Sequence, residues 1–346
     1  MQIILNNIDN LLDINDENNF VIDVCNDFLL NNYTAINSKS LKNDSMFSIF
    51  LNVEGIDIDS YENELLIKHN ANVFTTLNIQ QYIKNPYYLS IKPTQSKNLN
   101  IALTYNYYQP FELFAYDDIY IDSNYQESMR LGYFKEKFPY LVLLEKNKVW
   151  MSITPHEINT MQKSIDEAFG DVLVYGLGLG YYPFMCSLKK DVNKIVIIEK
   201  DKHVIDIFKN NILPFFKFKE KIIIIQEDAF KFAKKQEKFN YAFVDLWHDA
   251  SDGLIPYIKL LKEEVSSCKY FYWIEDSIIS LVRKCLITLI EETFYNNYQS
   301  KINNDIDLVI SKMNDLLKDL IIKKEDELYK ILERDFLKKL LKDIEL

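Results

Sequence analysis

The chain has 346 residues, a formal net charge of −11 and an isoelectric point near 5.0, a length that suits two domains with a core each. The acidic balance lacks the footprint of a protein that grips a phosphate backbone, so no nucleic-acid partner is expected. Cys25, Cys186, Cys268 and Cys285 form no C-x-x-C pair, and His69, His156, His203 and His248 hold no ligand spacing with them, so neither a structural zinc nor a disulfide framework is expected, and no metal.

Residues up to about Asn85 mix asparagine-rich loops with short amphipathic pieces such as NFVIDVCNDFLL and carry no motif. The first residues show no basic region followed by a sustained apolar one, and no run of about 18 apolar residues occurs, so no membrane segment is expected and the default location is cytoplasmic. From Tyr88 to about Ser152 the segments YLSIKP, IALTYNYY, FELFAYDDIYID and YLVLLEKNKVWMSI read as strands of a small, largely antiparallel sheet. Their alternating aromatics read as its packed face, with a pocket lining as the other reading.

Between Asp171 and Asp276 strand and helix patterns alternate five times: VLVYG, IVIIE, KIIIIQ, NYAFVDLW and KYFYWIED each precede a helical segment. Continuous apolar strands of this kind predict a doubly wound, mainly parallel sheet buried on both faces. After Ser277 apolar residues recur at helical spacing through DLVISKMNDLLKDLII and ELYKILERDFLKKLL, predicting a helical tail of balanced charge that could serve as a dimer surface. The domain reading is an α+β domain over 1–152, an α/β domain over 153–297 and a helical extension over 298–346.

The chemistry concentrates at the strand ends of the α/β domain. The first strand runs into Gly176, Gly178 and Gly180, a G-x-G-x-G turn in which the third glycine of a dinucleotide fingerprint is replaced by Tyr181 or Pro183. NAD is therefore disfavoured and S-adenosyl-L-methionine is the expected cofactor. Glu199 closes the second strand about twenty residues later, where a carboxylate can accept both ribose hydroxyls, and Lys200 follows it. Asp228, followed by Ala229, can accept from an adenine amino group or simply cap the next helix. The fourth strand ends at Asp245, followed by Trp247, His248 and Asp249. Gly176, Gly178, Gly180, Tyr181, Glu199, Lys200, Asp228, Ala229 and Asp245 form the expected cofactor set. Asp245, His248 and Asp249 are the candidates for orienting or deprotonating an acceptor. His248 also reads as a loop histidine, and Trp247 as core or as pocket wall.

Residues from about Leu141 to Asp276 resemble the class I S-adenosylmethionine-dependent methyltransferase superfamily, whose fold is Rossmann-like, and within it the spermidine-synthase-like branch. Val174 stands two positions before the first glycine, where many methyltransferases carry an acid and spermidine synthases do not. VLLEKNKVWMSI followed by Thr154, His156 and Glu157 resembles that branch's entry into its catalytic domain, and VDLWHDASDG its aspartate-bearing loop. Trp150 replaces the branch's substrate-site glutamine, and Asp245-Leu246-Trp247-His248-Asp249 replaces D-S-S-D-P. The resemblance implies a methyltransferase acting on a small-molecule acceptor. The alternatives are an aminopropyltransferase, for which Asp245, Asp249, Asp252, Glu275 and Asp276 could line a tunnel for a dication, or a non-catalytic module that binds an adenosyl ligand.

Overall fold

The computed structural model describes residues 1–36, 43–56, 73–93, 101–299 and 302–346, so His69 lies outside the described residues. The NFVIDVCNDFLL piece belongs to a 22-residue helix, α1 (Asp9–Leu30), whose Val21, Val24, Cys25 and Phe28 enter a small aromatic core with Phe47, Phe50 and Phe74. The YLSIKP segment departs from the strand reading. Its first half lies in a short helix, α2 (Pro86–Ser90), because the Asn85 side chain accepts from the Tyr87 N–H and Pro86 stands at the helix start. Cap and proline together outweigh the strand propensity of two tyrosines.

Three antiparallel strands follow, β1 (Ile101–Tyr108), β2 (Phe138–Glu145) and β3 (Lys148–Ile153). The β2–β3 hairpin turns on Lys146 and Asn147, both at positive φ, as a two-residue loop matched to strand twist requires. Between β1 and β2 the aromatic sequence contributes short strands to two further small sheets, so the expected single sheet is divided into three.

The helix α3 (Pro155–Glu167) leads into the α/β region. There β4 (Gly170–Tyr175), α4 (Tyr181–Ser187), β5 (Val192–Glu199), α5 (Lys202–Ile207), β6 (Ile222–Gln226), α6 (Ala229–Ala233), β7 (Tyr241–Val244), α7 (Ala250–Lys262), β8 (Lys269–Tyr272) and α8 (Glu275–Phe294) alternate. The five strands form one wholly parallel sheet in the order β6-β5-β4-β7-β8. The strand order reverses between β4 and β7, and with the right-handed crossovers that parallel strands follow, α4 and α5 belong to one face and α6 and α7 to the other, the pattern of a doubly wound sheet. Val172–Tyr175, Ile195–Ile198 and Tyr241–Val244 are all buried, which is why these strands read as unbroken apolar runs.

The tail supplies α9 (Asp305–Leu317), α10 (Glu325–Lys330) and α11 (Arg334–Asp343). Val309, Met313 and Leu317, with Leu337, Leu340 and Leu341, are buried in the same core as the central sheet, so the tail's apolar stripe is covered within the chain. Ile321–Ile322 pairs in parallel with Gln2–Ile3, bringing the two ends of the chain together. Among the described residues no helix is long and apolar enough to cross a membrane.

Candidate functional site

The register of the central sheet lines up the strand ends. Tyr175 pairs with Ile198 and Val244, Val244 with Tyr272, and Glu199 with Gln226. Gly176, Glu199, Asp228, Asp245 and Trp273 therefore emerge on one rim, and the reversal between β4 and β7 opens that rim where the connections diverge.

The three glycines of the turn do different work. Gly176 has φ +90°, and a Cβ there would fall 1.9 Å from the Asp245 carbonyl oxygen, so this glycine lets the turn after β4 cross the end of β7. Gly180 has φ +71° and caps α4; a Cβ on it would meet the Phe208 ring at 2.3 Å. Gly178 has φ +50° and nothing within 4 Å of a Cβ position. Two glycines are thus committed to chain packing, and the middle one presents bare backbone to open space, the arrangement needed for close approach of a ligand. Tyr181 is buried beside the turn, its hydroxyl accepting from Asn85 Nδ2 at 2.9 Å.

Glu199 is half-buried at the end of β5 and spans the rim. Its Oε2 accepts from the Leu177 N–H at 3.1 Å and its Oε1 from the Asp201 N–H at 2.7 Å. Each oxygen keeps acceptor capacity, since a carboxylate offers about four lone-pair positions. Lys200 is exposed. Asp228 caps α6 through the Lys231 N–H at 3.0 Å and stays half-buried, with Ala229 buried behind it.

The opposite side of the rim is acidic. Asp245 and Glu157, the latter in the first turn of α3, are both half-buried. Burial, and next the Asp245 charge, raise the Glu157 carboxyl to about 8 against hydrogen bonds from the Thr154 N–H and Ser152. Burial raises Asp245 to about 7, opposed by the His248 imidazole. Among the described residues no hydrogen bond reaches the Asp245 carboxylate, so none offsets its desolvation. His156 is lowered to about 4 by burial, with the Asp117 carboxylate opposing, and lies edge-on to the Trp273 ring. Glu157 has no role in the motif reading of the strand ends, because the Asp245 charge acts on it only through the fold.

The other candidates are spoken for. His248 is 84% exposed and pairs through Nδ1 with Asp252 at 3.0 Å, and Asp249 caps α7 by accepting from the Ser251 and Asp252 N–H groups. Trp247 is buried, donates to the Trp273 carbonyl at 3.2 Å and faces Gly253, where a Cβ would come 2.8 Å from its ring. Glu275 and Asp276 bind Arg334 of the tail, and Glu275 also accepts from Lys338 Nζ at 2.8 Å and the Tyr257 hydroxyl at 2.7 Å. Burial alone would raise Glu275, but these cations outweigh it and hold its carboxyl low.

No protein-family model matches the chain, and no curated protein matches it. Among solved structures, spermidine synthase from Thermotoga maritima is similar at 12% identity and a TM-score of 0.31, over 56% of this chain and 62% of that one. A spermidine synthase in complex with the transition state analogue AdoDATO is similar at 13% identity and a TM-score of 0.30, over 53% of this chain and 57% of that one. The chain thus spans less than two thirds of each, and a likeness of this size says nothing about chemistry.

Proposed function

We propose that this chain is a transferase that moves an alkyl group from an adenosyl sulfonium to an amine. The observation that carries this reading is the pairing, across one rim, of an open glycine turn with two desolvated carboxylates, Glu157 and Asp245. The turn fits an adenosyl group: Gly178 leaves backbone uncovered, and Glu199 and Asp228 stand at the two neighbouring strand ends with acceptor capacity to spare. When bound, the sulfonium supplies an activated carbon and a neutral thioether leaving group. Glu199 holds ribose hydroxyls, Asp228 the adenine edge, and the turn the remainder of the donor.

An ammonium entering beside Glu157 and Asp245 finds two carboxylates whose charged forms it stabilises, so its arrival lowers both of their pKa values. Asp245 then takes a proton from the ammonium, which frees the nitrogen lone pair; that pair forms the N–C bond as the S–C electron pair passes to sulfur. Water exclusion and alignment contribute the rest of the rate, since the step is an in-line displacement.

Methyl and aminopropyl transfer share this scheme. One observation favours the aminopropyl donor. Arg334, the cation seated on the residues that follow β8, is already paired with Glu275 and Asp276, so it is not free to receive an intact methionine carboxylate. The test is to incubate the protein with aliphatic diamines and either S-adenosylmethionine or its decarboxylated form, then read acceptor masses. An aminopropyl adduct supports this preference, and a methyl adduct reverses it. Donor binding without any adduct would make the chain an adenosyl-binding module instead.

A further inference from the structure

The glycine turn is held from outside by the N-terminal region. Tyr87 is completely buried, and its hydroxyl donates to the Leu179 carbonyl, between Gly178 and Gly180, at 2.6 Å. Its ring meets Tyr181 edge-on at 5.4 Å and Phe184 at 5.3 Å, both on α4. Asn85 completes the grip. Its Oδ1 accepts from the Tyr87 N–H at 2.9 Å and so orients α2, while its Nδ2 donates to the Tyr181 hydroxyl at 2.9 Å. Asn85 is itself only 8% exposed. The segment Asn85-Pro86-Tyr87 therefore fixes the turn and the first residue of α4 at once, from a part of the chain far away in sequence.

A turn with three positive-φ glycines has little stiffness of its own. Its internal restraint is the Gly180 N–H to Leu177 carbonyl bond at 2.9 Å, and Glu199 steadies the Leu177 end. The Leu179 carbonyl is the point on the other flank of Gly178, and Tyr87 is what pins it.

We infer that Tyr87, oriented by Asn85, is a positioning residue for donor binding: it presets the backbone around Gly178 in the conformation that accepts the adenosyl ligand. This rests on the function proposed above. Tyr87→Phe keeps both ring contacts and removes only the hydroxyl, freeing a buried carbonyl. The variant is expected to raise the donor Kd and KM about tenfold, equivalent to 1.4 kcal/mol, with kcat within about twofold. Tyr88→Phe is the control. It removes another buried hydroxyl whose acceptor, the Ile153 carbonyl, lies outside the turn, so it should cost stability yet leave the donor Kd within about twofold.

Hydrogen exchange at the Gly180 amide, measured without ligand, separates the two claims. Faster exchange in Tyr87→Phe than in Tyr88→Phe, with weakened donor binding, supports the inference. Unchanged exchange, or an unchanged donor Kd with a lowered melting temperature, overturns it and leaves Tyr87 a core residue. If the parent protein binds neither sulfonium, the proposed function and the ligand half of the inference fall together. The exchange data then decide alone whether Tyr87 sets the turn.

Discussion

The two sides of the rim use the same chemical group in opposite ways. On the donor side the Glu199 carboxylate is met by two backbone N–H groups and is part of the scaffold of the turn. On the acceptor side burial raises both carboxyls, Glu157 in spite of hydrogen bonds from the Thr154 N–H and Ser152, and Asp245 with no hydrogen bond reaching it among the described residues. A carboxylate held by N–H groups is fixed in place with lone pairs left for a ligand, whereas a desolvated one that no hydrogen bond reaches, as at Asp245, is waiting for a cation or a proton. Strand-end position brings Glu199 and Asp245 to the site, and the two N–H groups on Glu199 against none on Asp245 separate their tasks.

The largest effects should come from the glycines, and they should differ. Gly176→Ala combines a positive φ with a Cβ 1.9 Å from a carbonyl oxygen. It is expected to cost more than about 3 kcal/mol and to prevent normal folding, read as loss of cooperative denaturation. Gly178→Ala meets no neighbour, so only the backbone conformation, about 1 to 2 kcal/mol, opposes it. Calorimetry should find that protein folded with its donor affinity largely lost. Equal damage from both would mean that the turn is packing and nothing more.

Next in size is Asp245→Asn, which should lower kcat by about 10² to 10⁴ with donor affinity within about twofold. Glu199→Ala should do the reverse, weakening the donor by at least the 1.5 to 3 kcal/mol typical of hydrogen bonds to a charged group. If the two variants behave alike, the division between the sides of the rim fails.

The pH dependence of stability tests the acidic side without any ligand. Glu157 near 8 and Asp245 near 7 stand above the value of about 4 that carboxyls hold in an unfolded chain. Between those values the folded state binds more protons, so stability is greatest at low pH within that window and declines as pH rises through 7 to 8. Denaturant midpoints at about pH 5.5 and about pH 8 should show this decline, and Asp245→Asn should reduce it. The smallest effect belongs to His248→Ala, since that imidazole is 84% exposed and already paired with Asp252. Its kcat is expected to stay within about threefold of the parent, below the range for loss of a proton-transfer group.

Much of this arrangement is legible in the chain itself. The buried strands β4, β5 and β7 show as unbroken apolar runs because both faces of each are covered, and Gly176, Glu199 and Asp245 follow from where those runs stop; Asp228 follows β6, an edge strand that reads as an apolar run although Ile223 is exposed. What could not be read depends on distance in sequence. Glu157 stands out in the sequence only as part of the hairpin-to-helix resemblance, and the influence of the Asp245 charge on it arises from the fold, just as Asn85 and Tyr87 touch the glycine turn only through tertiary packing. His248 and Asp249 drew notice by position, yet their local partners occupy them. The tail shows the same effect on a larger scale. Its stripe is that of any amphipathic helix, and only the core contacts of Val309 and Leu341 show which surface it covers.

The most direct test of the account is a calorimetric titration of the intact protein with decarboxylated S-adenosylmethionine, S-adenosylmethionine and NAD. An adenosyl sulfonium is expected to bind, the decarboxylated form more tightly than the carboxylated one, and NAD is not. Binding of NAD alone, or of none of the three, would contradict it.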